Sequence, residues 1–171
     1  MRLMFLLVAV GLMALAACGE NYDTYLNRGG EHLDEGEHDA AIDDYNEAIR
    51  LNADRVEAYF NRGLAYSRKG DDNSAILDLD RAIELHPYDA RLYHLRGILL
   101  AMNGDYDGAI ADHNVQIHLN PDDSNAYYLR GLAYVDKGDY NSAITDFNIA
   151  IKFDPNNAEA EEALELADKS Q

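Results

Sequence analysis

From residue 22 onward, apolar and polar positions follow a helical beat that restarts every 34 residues. Within one cycle Tyr59, Gly63 and Tyr66 lie at i, i+4 and i+7, one face of a first helix, and Ala75, Leu79, Ala82 and Ile83 repeat that spacing on a second. Gly70 stands where the first helix must end, since glycine accepts the left-handed conformation of a helix C-terminus, and Asp71 to Asn73 supply polar caps for the next. Pro87 and Pro121 fall at cycle ends, where a missing amide N–H does no harm. Each cycle is therefore predicted to be a helical hairpin.

The ruler fits without a gap. Gly29, Gly63, Gly97 and Gly131 fall on it, as do Ala41, Ala75, Ala109 and Ala143, and Asp44, Asp78, Asp112 and Asp146. One hairpin cannot bury its apolar face alone, whereas stacked hairpins share a continuous core. The chain thus divides into cycles at 22–55, 56–89, 90–123 and 124–157. The stretch from Ala158 to Lys169 is helical in composition but lacks the recurring Tyr-x-x-Arg-Gly; within 158–171 it reads as a helix that caps the last cycle.

The pattern resembles the tetratricopeptide repeat over residues 22–157. The second cycle matches through Tyr59, Arg62-Gly63, Tyr66, Ala75, Leu79, Ala82 and Pro87, and the fourth through Tyr127, Arg130-Gly131, Tyr134, Ala143, Phe147, Ala150 and Pro155. His32, Ala53, His113 and Gln116 depart from it, at the aromatic, Pro, Phe and late Ala places. The resemblance implies an all-α fold, a right-handed α-solenoid of four helical hairpins with a C-terminal capping helix. The recurring glycine is expected where two helices approach closely. The arginine beside it, with an aspartate sixteen residues later, suggests a repeated ion pair, within a repeat or to its neighbour.

Composition narrows the partners. Against 14 Lys and Arg the chain carries 32 Asp and Glu, a net charge of -18, which repels phosphate backbones and disfavours nucleic-acid binding. Protein partners should be basic, or present an apolar extended or helical segment. The first residues stand apart: Arg2 is followed by an uncharged apolar run, Leu3 to Ala17, that stops at Cys18. The run is shorter than the ~20 residues of a spanning helix and has the layout of a secretory signal. Leu15-Ala16-Ala17-Cys18 resembles the lipobox of bacterial lipoproteins, which implies a signal peptide at 1–17, lipidation of Cys18, a short linker at 18–21, and a membrane-anchored protein of the cell envelope facing the periplasm. Gly19 after the cysteine is compatible with outer-membrane sorting.

No catalytic constellation emerges. Ser67, Ser74, Ser124, Ser142 and Ser170 lie outside any Gly-x-Ser-x-Gly context. His113 and His118 are poorly spaced to share a metal, and Asp43-Asp44 and Asp71-Asp72 read as solvated faces or helix starts. We expect a non-enzyme without metal or cofactor. What remains is a surface. In the repeats it resembles, the first helices line a concave groove for a partner peptide or helix. Transferred residue by residue, this gives one ladder of Leu26, Phe60, His94 and Tyr128, a second of Leu64, Ile98 and Leu132, and Asn27, Asn61, Leu95 and Leu129 between them. The basic carboxylate clamp of some relatives is not expected, since of its places only Asn61 and Arg91 fit. The expected function is a protein-interaction scaffold; self-assembling oligomers, pilus or secretin assembly, and binding of a small ligand or glycan are the alternatives.

Overall fold

The computed structural model describes residues 21–170. Among them are nine α-helices and no strand: α1 Tyr22–Asp34, α2 His38–Leu51, α3 Val56–Lys69, α4 Asp72–Leu85, α5 Ala90–Met102, α6 Tyr106–Leu119, α7 Ser124–Lys137, α8 Tyr140–Phe153 and α9 Ala158–Lys169. They form an α-solenoid of four hairpins, each first helix packed on its second and each second helix on the next first helix, with α9 lying on α8.

Local chemistry sets the boundaries. Every turn inside a hairpin carries one left-handed glycine: Gly36, Gly70, Gly104 and Gly138 have φ of 80, 86, 82 and 84°, a region closed to most L-residues. The second helices of the last three hairpins then start on aspartates whose carboxylates accept from an amide three residues on, Ser74 for Asp71 at 3.1 Å, Gly108 for Asp105 at 3.0 Å and Ser142 for Asp139 at 3.2 Å. Glu37 heads α2 without such a bond. These caps satisfy amides that the helix itself leaves free.

The core runs along the stack. Val56, Tyr59, Ala75, Leu79 and Ala82 of the second hairpin form one buried cluster with Leu92 and Leu99 of the third, and Leu33, Ala41, Ile42 and Tyr45 of the first close on Ala65 of the second. At its end, Ala143 and Phe147 are covered by Ala167 of α9. The register of α9 is that of a fifth first helix. Its buried Ala160 and Ala167 follow Ala126 and Ala133 by 34, while Glu165 stands in the place of the glycine.

Candidate interaction surface

The Tyr-x-x-Arg-Gly signature is an architectural unit whose parts act together. In the second hairpin Arg62 donates to Asp78 of α4 through Nε and Nη2, at 2.8 and 2.6 Å, and through Nη1 to Asn46 of the preceding hairpin at 2.5 Å. Arg96 repeats this with Asp112 at 2.8 and 2.6 Å and with Asp80 at 2.5 Å. Arg130 does so with Asp146, both at 2.7 Å, and with Asn114 at 2.5 Å. The Arg–Asp pair left open by the sequence thus lies within the repeat, and the same guanidinium also reaches the preceding repeat, an aspartate for Arg96 and an asparagine for Arg62 and Arg130. Each guanidinium binds an aspartate sixteen residues ahead and a polar side chain sixteen residues behind. Asp44, Asp78, Asp112 and Asp146 are buried, so Asp44 is not the solvated group the sequence suggested.

The tyrosine and glycine complete the unit. Three residues before each arginine, one turn back, a tyrosine ring lies under it, at 4.9 Å for Arg28 on Tyr25, 5.8 Å for Arg62 on Tyr59, 5.8 Å for Arg96 on Tyr93 and 5.5 Å for Arg130 on Tyr127, a cation–π geometry. The glycine leaves room for the large side chain that the second helix presents. A Cβ on Gly29 would come within 2.7 Å of Tyr45, one on Gly97 within 2.8 Å of His113 and one on Gly131 within 2.6 Å of Phe147.

This lattice holds the first helices side by side. Among the described residues α1 touches α3, α5 touches α7 and α7 touches α9, whereas no two second helices meet as closely. The first helices therefore line the inside of the curve. The predicted ladders lie there and divide by what they touch. Leu26, Phe60, Leu64, Leu95, Tyr128 and Leu132 are partly buried and pack onto core clusters, so they seal helix contacts as well as face the groove. Ile98 and Leu129 are partly buried too, and Asn27 is exposed. Leu26, Phe60 and Asn61 meet around one depression of about 200 Å³, together with Val56, Glu57, Asp89, Arg91 and Leu92. His94 lines a second, of about 240 Å³, with Arg91, Gln116, Asn120, Asp123 and Asn125. Counting along the exposed face passes over Val56, Leu92 and Gln116, which are buried at the base of the depressions they line.

His113 shows what replaces the expected phenylalanine. The imidazole is 1% exposed and its Nδ1 lies 3.2 Å from Gln116 Oε1, while Gln116 Nε2 donates to Asp123 at 2.8 Å. Burial pushes its pKa down, helped by His94 and opposed by the Gln116 contact, because the charged form loses its hydration. The two departures in repeat three, His113 and Gln116, are thus one polar connection across the core. Burial likewise pushes the Tyr45 hydroxyl up to about 12, with Asp34 adding to it.

One group of possible metal ligands exists among the described residues. His32, Glu35 and Glu37 offer atoms within 4.8 Å of one another. The His32 ring nitrogens lie 2.9 Å from Glu37 and 3.6 Å from Asp44, and both glutamates are exposed, so the group reads as a polar surface turn.

Family models described as TPR repeat and tetratricopeptide repeat match residues 29–70, 56–89, 79–111 and 124–157. The chain belongs to the tetratricopeptide repeat family. No curated protein matches the sequence significantly. Among solved structures, this tetratricopeptide protein is similar to a crystal structure of MamA at 30% identity, with 86% of each chain covered and a TM-score of 0.79. A second MamA structure has 27% identity, covers 87% of this chain and 81% of its own, and gives a TM-score of 0.83. YrrB, described as a TPR protein with an unusual peptide-binding site, shares the fold at 20% identity, with coverages of 91% and 80% and a TM-score of 0.77. Lipidation at Cys18 falls outside the described residues, none of whose helices is long and apolar enough to cross a membrane.

Proposed function

We propose that this tetratricopeptide protein is a non-enzymatic scaffold of the bacterial cell envelope, anchored by a lipid on Cys18 and binding a partner protein along the inside of its curve. The observation that carries the reading is the depression shared by α1, α3 and α5. Three successive repeats contribute to it, which is how a solenoid presents one continuous surface to an elongated ligand. Self-assembly by continued stacking is disfavoured by Glu165, which stands where a further second helix would need a glycine.

Two experiments test the two halves of the reading. Capture from solubilised membranes by the wild type and by Phe60→Ala/Tyr128→Ala, each confirmed helical by circular dichroism, should lose about 2–4 kcal/mol in affinity in the double variant; equal capture moves the binding site off this face. Cys18→Ala should abolish processing and membrane association, and unchanged fractionation removes the anchor.

A further inference from the structure

The inner face is chemically two-sided along its length. At one end the depression has an apolar floor, Val56 at 8% and Leu92 at 1% exposure, between the partly exposed Leu26 and Phe60. The cations around it are already engaged. Arg91 donates to Asp89 at 3.0 and 2.7 Å and lies 5.7 Å over the Phe60 ring, and Arg55 faces Asp23 at 3.3 Å and Glu57 at 3.5 Å. The space has room for one large side chain. At the other end Tyr128 packs against Phe147, with ring centres 6.0 Å apart and planes tilted by 46°, and shares a cluster with Ala163 and Leu164 of α9. Glu162 follows Tyr128 in the repeat register and continues its ladder on α9, with Glu159 one turn before it; burial, with both carboxylates adding to it, pushes the Tyr128 hydroxyl pKa up. Both glutamates are exposed, and neither meets a cation among the described residues.

We propose that this face takes one amphipathic segment of a partner protein, whose large aliphatic or aromatic side chain enters the pocket of Leu26, Val56, Phe60 and Leu92 while a lysine or arginine meets Tyr128, Glu159 and Glu162. The inference rests on the scaffold reading and adds the chemistry of the ligand. A tyrosine followed along its ladder by exposed carboxylates offers a cation both a ring face and negative charge. An apolar anchor in the depression supplies affinity, and the exposed charges supply rate and orientation. The net charge of -18 disfavours an acidic segment, and for the same reason a second copy of this chain.

The test uses the full chain in mild detergent and fluorescein-labelled synthetic 17-residue peptides read by anisotropy. One set carries a leucine or phenylalanine anchor and lysines at the far end. Control sets lack the anchor, replace lysine by glutamate, or reproduce residues 1–17 of this chain. The first set should bind at least about tenfold more tightly than each control. Phe60→Ala, with helicity intact, should weaken it about tenfold or more. Glu159→Gln/Glu162→Gln, at exposed positions and with helicity confirmed by circular dichroism, should weaken it severalfold and flatten its salt dependence. Equal binding of anchorless or acidic peptides overturns the inference and leaves the scaffold reading standing. Tightest binding by the 1–17 peptide overturns it in favour of an internal occupant. Failure of every peptide to bind overturns both.

Discussion

Alanine should be costly at Gly131 and nearly free at Gly63, although the two residues hold the same place in the repeat. A Cβ at Gly131 would lie 2.6, 2.8 and 3.1 Å from three atoms of the Phe147 ring, about 1 Å inside the best carbon–carbon separation of ~3.5–4.0 Å. That ring is fully buried among Ala143, Ala167 and Tyr128 and cannot retreat. Overpacking of this kind costs about 1–3 kcal/mol, and replacing a mid-helix glycine returns about 0.5–1 kcal/mol, leaving a net loss of roughly 1–2 kcal/mol. At Gly63 the partner is Leu79, and the nearest atoms are Ala75 O at 3.3 Å, Asp78 Cβ at 3.5 Å and Leu79 Cγ at 3.6 Å. There the two terms nearly cancel, to within about 0.5 kcal/mol. Thermal denaturation followed by circular dichroism should separate the variants by about 3–8 °C, at ~2–4 °C per kcal/mol for a chain of this size. Phe147→Leu in the Gly131→Ala background, which recreates the pairing of Gly63→Ala with Leu79, should recover part of the loss as a favourable coupling. Equal melting shifts at the two glycines would refute the reasoning, because they would show that the cost belongs to the position and not to the facing side chain.

Removing Asp78 strands a partly buried guanidinium and should cost about 2–4 kcal/mol, whereas Asp80→Ala removes a carboxylate that is 47% exposed and should cost at most ~1 kcal/mol; urea midpoints of the two variants check the order. Because burial holds the His113 pKa below 6.5 in the fold, the unfolded chain binds more protons as pH falls through 6.5, and stability is lost from there down to the folded pKa. His113→Phe/Gln116→Ala, which gives repeat three the residues of repeat four, should lose this component, read as the difference between the two stability profiles from pH 7.5 to 5. Truncation after Asn157 uncovers Ala143 and Phe147 and should lower stability by at least ~2 kcal/mol, with aggregation visible by light scattering.

The repeat length, the hairpin turns and the family were written in the sequence, because each depends on local rules. Gly70 and Gly138 announce left-handed caps, Asp71 and Asp139 announce helix starts, and a 34-residue period of small and aromatic positions admits only a stack of like units. The recurrence of Arg62 and Asp78 at a fixed interval even announced an ion pair. What the sequence could not settle was the direction of that pair. Arg62 reaching both Asp78 and Asn46 requires the lateral offset between neighbouring hairpins, a quantity that no spacing along one chain contains. The same holds for the inner face. Counting along the first helices found Phe60, His94 and Tyr128, but Val56 and Leu92 enter the pocket only because α1, α3 and α5 are drawn together by packing. The polar bridge from His113 through Gln116 to Asp123 is also a tertiary fact. In the sequence His113 and Gln116 stand as separate departures from the repeat pattern. Burial of both in one core, where each polar group must find a partner, makes them a single interaction that reaches the partly buried Asp123.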